Sequence, residues 1–204
     1  MKDILGGNIL YKLKRSSSIL LTLGVVLIIG SWVFSFSFGY ALKDYFIKPR
    51  DAFLLGQSIE TYYLMIVAFV LLGISLIILS IDTKQKRRKN LWAFPIMTIS
   101  IVLFFISYNS YYYANDQRIA NKELFSLKKQ EYQWSEIEKM EFIFHIVEGG
   151  SQKGAAIKVY PKNGDHPIYI EWDQYIFFTR YRLEKLVLDH GGEVKTVILD
   201  KREK

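Results

Sequence analysis

Three stretches of the chain carry no charge and no amphipathic period. The first lies between Arg15 and Lys43 (SSSILLTLGVVLIIGSWVFSFSFGYAL), the second runs from Thr61 to Ile81 and the third from Leu91 to Asn115. Apolar residues surround each of these segments instead of forming one stripe, as in helices that face lipid or one another and unlike helices lying on a soluble core. The first run has 27 residues, roughly 40 Å as a helix at ~1.5 Å per residue, against a hydrocarbon core of ~30 Å. The pattern predicts three transmembrane helices, over about residues 17–41, 61–81 and 91–113. Lys12, Lys14 and Arg15 before the first run and Gly39-Tyr40-Ala41 at its end resemble a signal peptide. Its apolar part is too long for that, since such regions have roughly 7 to 15 residues, so it reads as an uncleaved anchor. Gly24, Gly30, Ser31, Ser35 and Ser37 leave shallow places for another helix, with the chain's own spans as the expected partners. Tyr40, Tyr62, Tyr63, Trp92, Tyr108, Tyr111, Tyr112 and Tyr113 border the spans as interfacial aromatics, whereas Trp32 lies mid-span. Pro95 is expected in the first turn of the third span, where its missing N–H costs least.

From Asp116 onward the period changes to two. Met140, Phe142, Phe144 and Ile146 alternate along one predicted strand, and Phe125 with Leu127, Ala155 with Ile157 and Val159, and Ile168 with Ile170 and Trp172 read as others. Asn163-Gly164 between Pro161 and Pro167 is a hairpin signal, and EGGSQKG is a looser connection, so the strands form an antiparallel meander. Asp173 is a candidate N-cap for a helix with Ile176, Thr179, Leu183, Leu186, Val187 and His190 on one stripe, stopped by Gly191-Gly192. EVKTVILD then reads as a last strand.

Charge orients the spans. The tail of residues 1–15 holds four basic residues and one acidic, the loop Ala41 to Glu60 three of each, and the link DTKQKRRKN five basic and one acidic. Short loops rich in Lys and Arg stay in the cytoplasm. This predicts a cytoplasmic basic tail (1–15), a three-helix transmembrane region (16–115) and an extracytoplasmic domain (116–204) at the cell membrane. Lys84, Lys86, Arg87, Arg88 and Lys89 are the candidate contacts with anionic headgroups. Pinned within nine residues against a bilayer, they suit nucleic acid poorly. The whole net charge of +7 sits before residue 114, because the rest balances 15 basic against 15 acidic residues.

The order ELFSLKKQEYQWSEIEKMEFIF, AAIKVY, an NGD turn, PIYIEW and the late helix YRLEKLVLDHGG resembles the bacterial pleckstrin-homology-like (PH-like) domains of small membrane proteins, over residues 117–199. YQWSEIEKM, with an aromatic-Ser-acidic-Ile step before a strand, carries most of that resemblance. It implies a bent antiparallel sheet closed by a C-terminal helix, and hence a small α+β domain with no shared active site. Lipid-binding relatives use a basic first loop, where this chain offers only Lys128 and Lys129, so phosphoinositide binding is not implied.

Little else points to chemistry. Cysteine is absent, which removes disulfides and thiolate sites. His145, His166 and His190 are scattered without a metal-binding spacing, and GGSQKGAA lacks the Lys-Ser/Thr of a phosphate-binding loop. Glu136 with Glu138 and Glu171 with Asp173 could pair, but a solvated sheet face is the commoner setting. The spans hold no ionisable side chain, which disfavours a self-sufficient transporter. Phe177 and Phe178 are not both used by the buried stripe and form a candidate interaction surface. The reading is an integral membrane accessory or interaction protein, not an enzyme and without a cofactor. Its partners would be the bilayer and a membrane protein or a second copy, with no nucleic acid. A subunit of a multi-component transport or secretion assembly is the alternative.

Overall fold

The computed structural model describes residues 15–81, 86–126, 128–146, 151–164 and 166–199. The chain divides into a helical unit (Met1–Gly39 with Tyr62–Tyr108) and a sheet-rich unit (Tyr40–Thr61 with Asn109–Lys204).

The helical unit is built from α1 (Arg15–Phe46), α2 (Ile59–Ser80) and α3 (Lys86–Tyr108). All three contain stretches long and apolar enough to cross a membrane: Ser17–Phe46, Ile59–Ser80 and Asn90–Tyr108. Ile29, Val33, Leu91 and Phe105 point outward and are exposed, as on helices whose surroundings are apolar. Where α1 meets α2, Gly24 and Gly73 lie back to back. A Cβ on either would stand 2.6 Å from the carbonyl oxygen of the other, so only glycine permits this approach. The small residue predicted to admit a helix thus admits one of the chain's own. Ser100 Oγ donates to the Ala68 carbonyl at 2.7 Å and ties α3 to α2.

Two expectations for the spans are corrected. Pro95 lies well inside α3, because the basic link continues as helix from Lys86 and the proline falls beyond the first turn. Its ring removes one helix donor there. The third helix also stops at Tyr108. Tyr111–Ala114 is a strand, and Tyr112 and Tyr113 are buried in the sheet-rich unit instead of marking a water interface.

The sheet-rich unit holds two four-stranded sheets. The first has the order β1 (Leu54–Gly56), β2 (Tyr111–Ala114), β3 (Arg118–Lys122) and β4 (Gln130–Gln133), antiparallel throughout. A 3-10 turn, Trp134–Glu136, leads into the second. That sheet contains β5 (Ile137–Ile146), β6 (Gln152–Pro161) and β7 (Ile168–Glu171), an antiparallel meander as the alternation predicts. The final strand β8 (Glu193–Leu199) departs from the antiparallel expectation. Helix α4 (Gln174–Asp189) carries the chain back before β8 begins, so β8 lies parallel to β5 at the sheet edge.

One core joins both sheets and α4. Leu54, Tyr112, Ile119, Trp134, Phe142 and Ile176 are among its buried members. The strand alternation decides this: Leu54 faces that core, while Leu55 packs with Tyr113 and Ala120 on the other face of the first sheet. Met140, Phe142 and Phe144 point inward as predicted. Phe125, expected in a strand, is a turn residue with φ 65° and an exposed ring. The pairing strands there are β3 and β4 on either side of it, and Leu127 lies outside the described residues. His190 leaves the buried stripe of α4 and is exposed, because the helix ends under it with Gly191 in the left-handed region at φ 79°.

Candidate functional site

A cleft of about 240 Å³ opens in the sheet-rich unit where β3 and β7 come together. Its polar lining residues are Ser58, Ser110, Tyr112, Asn121 and Tyr169 with the acidic Glu60, Glu123 and Glu171. Among the described residues no basic side chain lines it. Behind Ser110, at the end of α1, Lys43 is 2 % exposed. Its Nζ donates to Gln57 Oε1 at 2.5 Å and to the Ser110 carbonyl at 2.6 Å. The uncharged run ends at Leu42, yet the helix continues and carries this lysine inward. The lysine's two acceptors are carbonyl oxygens, which satisfy a buried nitrogen donor. Thr61 Oγ1 donates to Ser110 Oγ at 2.9 Å, so the start of α2 and the start of β2 are held to the same point.

Glu171 and Asp173, weighed as a pair on a solvated face, are both structural acceptors. Glu171 Oε2 accepts from the Ile59 N–H at 2.7 Å and places a carboxylate at the N-terminus of α2. Asp173 Oδ1 accepts from the Ile176 N–H at 2.8 Å as the N-cap of α4, while its Oδ2 accepts from the Tyr112 hydroxyl at 2.5 Å. Burial, followed by the adjacent Asp173, drives the Tyr112 phenol well above its ordinary pKa, so it remains a donor. Gly56 is required opposite it, since a Cβ there would come within 2.1 Å of the Tyr112 oxygen. Glu136 accepts from the Gln133 N–H at 2.7 Å in a capping box, and Glu138 is exposed.

The predicted surface residues fall as follows. Phe177 and Phe178 are 67 % and 79 % exposed, with rings edge to face at 5.6 Å. Lys86, Arg87, Arg88 and Lys89 form the opening of α3, and Lys84 lies outside the described residues, as does most of the basic tail. Lys129 is engaged by Glu131 at 2.5 Å and donates to the Tyr113 hydroxyl at 2.8 Å. His190 Nδ1 stands 2.8 Å from the Leu186 carbonyl within its own helix end. Sequence reading missed Lys43, Tyr112 and the cleft, because each depends on contacts between segments far apart in the chain.

Two carboxylates give the unit a pH dependence. The Lys139 hydrogen bond at 2.8 Å holds the Glu141 carboxyl below its usual range against partial burial, with a second bond from the Tyr160 hydroxyl at 2.8 Å. Burial would raise the Glu131 carboxyl, but the bonds from Lys129 and Arg118 outweigh it and lower it. A depressed folded pKa contributes stability above the unfolded value, and that contribution is lost as pH falls through the folded one. Thermal unfolding in detergent should therefore shift to lower temperature between about pH 5 and pH 3. Glu141→Gln should flatten that dependence, as calorimetry at a series of pH values would show.

No protein-family model matches the chain, and no curated protein is detectably similar to it.

Proposed function

We propose that this chain is a multi-pass membrane protein that holds a small PH-like binding module at the outer face of the cell membrane and acts through interaction, not catalysis. The observation that carries the reading is the pairing of β1 with β2, Leu54 opposite Ala114 and Gly56 opposite Tyr112. The first strand belongs to the loop between α1 and α2, and the second follows α3. They can pair only if both lie on one side of the bilayer, and the two crossings between them, α2 and α3, return the chain to that side. The charge count then favours the outside, since the tail and the link are basic and the β1 loop is neutral. Two sheets with a common core closed by α4 support the PH-like reading. The added β1 and the parallel β8 are this chain's departures from it.

A cysteine-free chain makes the test direct. Arg50→Cys and His166→Cys, both at exposed positions, should react together with an impermeant thiol reagent on intact cells, and Gln85→Cys only after lysis. The reverse pattern would move the module to the cytoplasm. Mild solubilisation should then recover the protein with a stoichiometric membrane partner or as a homo-oligomer. A lone monomer would refute the interaction role.

A further inference from the structure

The cleft where β3 meets β7 is built wholly from residues of the sheet-rich unit, and three of them are glutamates. Glu171 is engaged by the Ile59 N–H, but Glu60 and Glu123 have neither an ion pair nor a hydrogen bond among the described residues. Two of these charges reach the same ring. Burial, then Glu171 and Glu60, pushes the Tyr169 phenol above its ordinary pKa. Like charges without counter-charges, set around an opening with low-dielectric walls, focus a negative potential into it. Such a cleft attracts a cation.

A second feature of the cleft is independent of those charges. Asn121 lines it and is 6 % exposed, yet its amide is poorly satisfied. Nδ2 reaches the Tyr169 carbonyl only at 3.5 Å, longer than an ordinary N–H···O bond, and no donor among the described residues meets Oδ1. That oxygen is not sealed from solvent, and the cleft is the opening its residue borders. A nearly buried amide with an open acceptor fits an N–H brought by a ligand.

The kind of cation follows from spacing and size. Among the described residues no three acidic or imidazole side chains stand close enough to hold a metal ion, so the charges are spread around the cleft. Leu124, Ile170 and Tyr169 add apolar lining, which suits methylene groups and, at the ring face, an ammonium. The volume of about 240 Å³ lies below the ~300–1,000 Å³ of drug-sized sites, so the ligand is small.

We infer that this cleft binds a short aliphatic polyamine, its ammonium groups held by Glu60, Glu123 and the Asn121 amide and its methylenes by Tyr169 and Ile170. A lysine side chain of a peptide carries the same chemistry, and the test separates the two sources. The inference stands on the sheet-rich unit alone and holds on either side of a membrane.

The test is equilibrium dialysis of the full chain, in an uncharged detergent, against labelled spermidine. One saturable site is expected. Glu60→Gln and Glu123→Gln, both at exposed positions where folding is not at stake, should each weaken it about threefold to tenfold. Glu138→Gln, exposed but not part of the cleft, should bind like the wild type. Unlabelled hexanediol, which is neutral, should not compete, and calcium ions should compete only weakly. Absence of saturable binding would overturn the inference, as would equal weakening by Glu138→Gln or calcium competing as well as spermidine, either of which means diffuse surface charge. Tighter competition by a lysine tripeptide blocked at both ends would overturn the polyamine in favour of a peptide side chain.

Discussion

Trp134→Ala should cost the sheet-rich unit about 3–5 kcal/mol and leave most of it unfolded, since a domain is stable by only about 5–15 kcal/mol. Trp134 is fully buried and heads the largest such side chains among the described residues. It stands at the turn between β4 and β5, so its ring fills the space where the two sheets share a core. Its Nε1–H also donates to the Asn115 carbonyl at 2.9 Å. Asn115 is itself a junction: its side chain donates to Asp51 at 2.8 Å and accepts from the Arg118 N–H at 2.8 Å at the β2–β3 turn. Trp134→Phe separates the two contributions, because it keeps much of the volume and loses the bond. That variant should lose about 1–3 kcal/mol, the cost of a buried carbonyl left without its donor. Thermal melts followed by circular dichroism, with the helical signal as internal reference, would rank the two. An alanine variant that melts like the wild type would contradict the shared core.

A soluble fragment of residues 116–204 should fail to fold cooperatively, contrary to what the alternation of that region alone suggests. It lacks β1 and β2, which removes Leu54, Tyr112 and Ala114 from the core and exposes the edge of β3. It also removes the tyrosine hydroxyl that meets the α4 N-cap. Burial of such side chains is worth about 1.5–3 kcal/mol each, enough in sum to exhaust the stability of a small domain. Joining residues 49–58 through a flexible linker to 109–199 should restore a sharp transition. Cooperative unfolding of the shorter fragment would mean that the second sheet and α4 form a sufficient core alone.

What the sequence reveals follows the range of the interactions. The three apolar runs, the β5 to β7 alternation, the hairpin at Asn163-Gly164 and the Asp173 cap are written in neighbouring residues, and the structure contains them all. β1 is only Leu54–Gly56, too short to show a period, and its partner comes after two complete helices. Tyrosine hid that partner, because a run of tyrosines suits a membrane–water interface and a half-buried strand equally well. Glu171 shows the same limit at the candidate site: its role is set by Ile59, which no local pattern brings near it. Phe177 and Phe178 were legible as candidates because a helical stripe has room for only one of two adjacent residues. Their exposure needed coordinates.

The β1–β2 pairing also has a consequence for how the protein is made. As the ribosome delivers the chain, Leu54–Gly56 emerges long before Tyr111–Ala114, and both α2 and α3 must be threaded in between. Until then Leu54 and Leu55 wait with unpaired backbone and no apolar cover, a form that chaperones and proteases can recognise. On the proposed membrane reading the sheet can close only after both α2 and α3 have crossed. On that reading a molecule with only one of the two helices across would hold β1 and β2 on opposite sides of the bilayer, so the pairing would act as a built-in inspection of insertion.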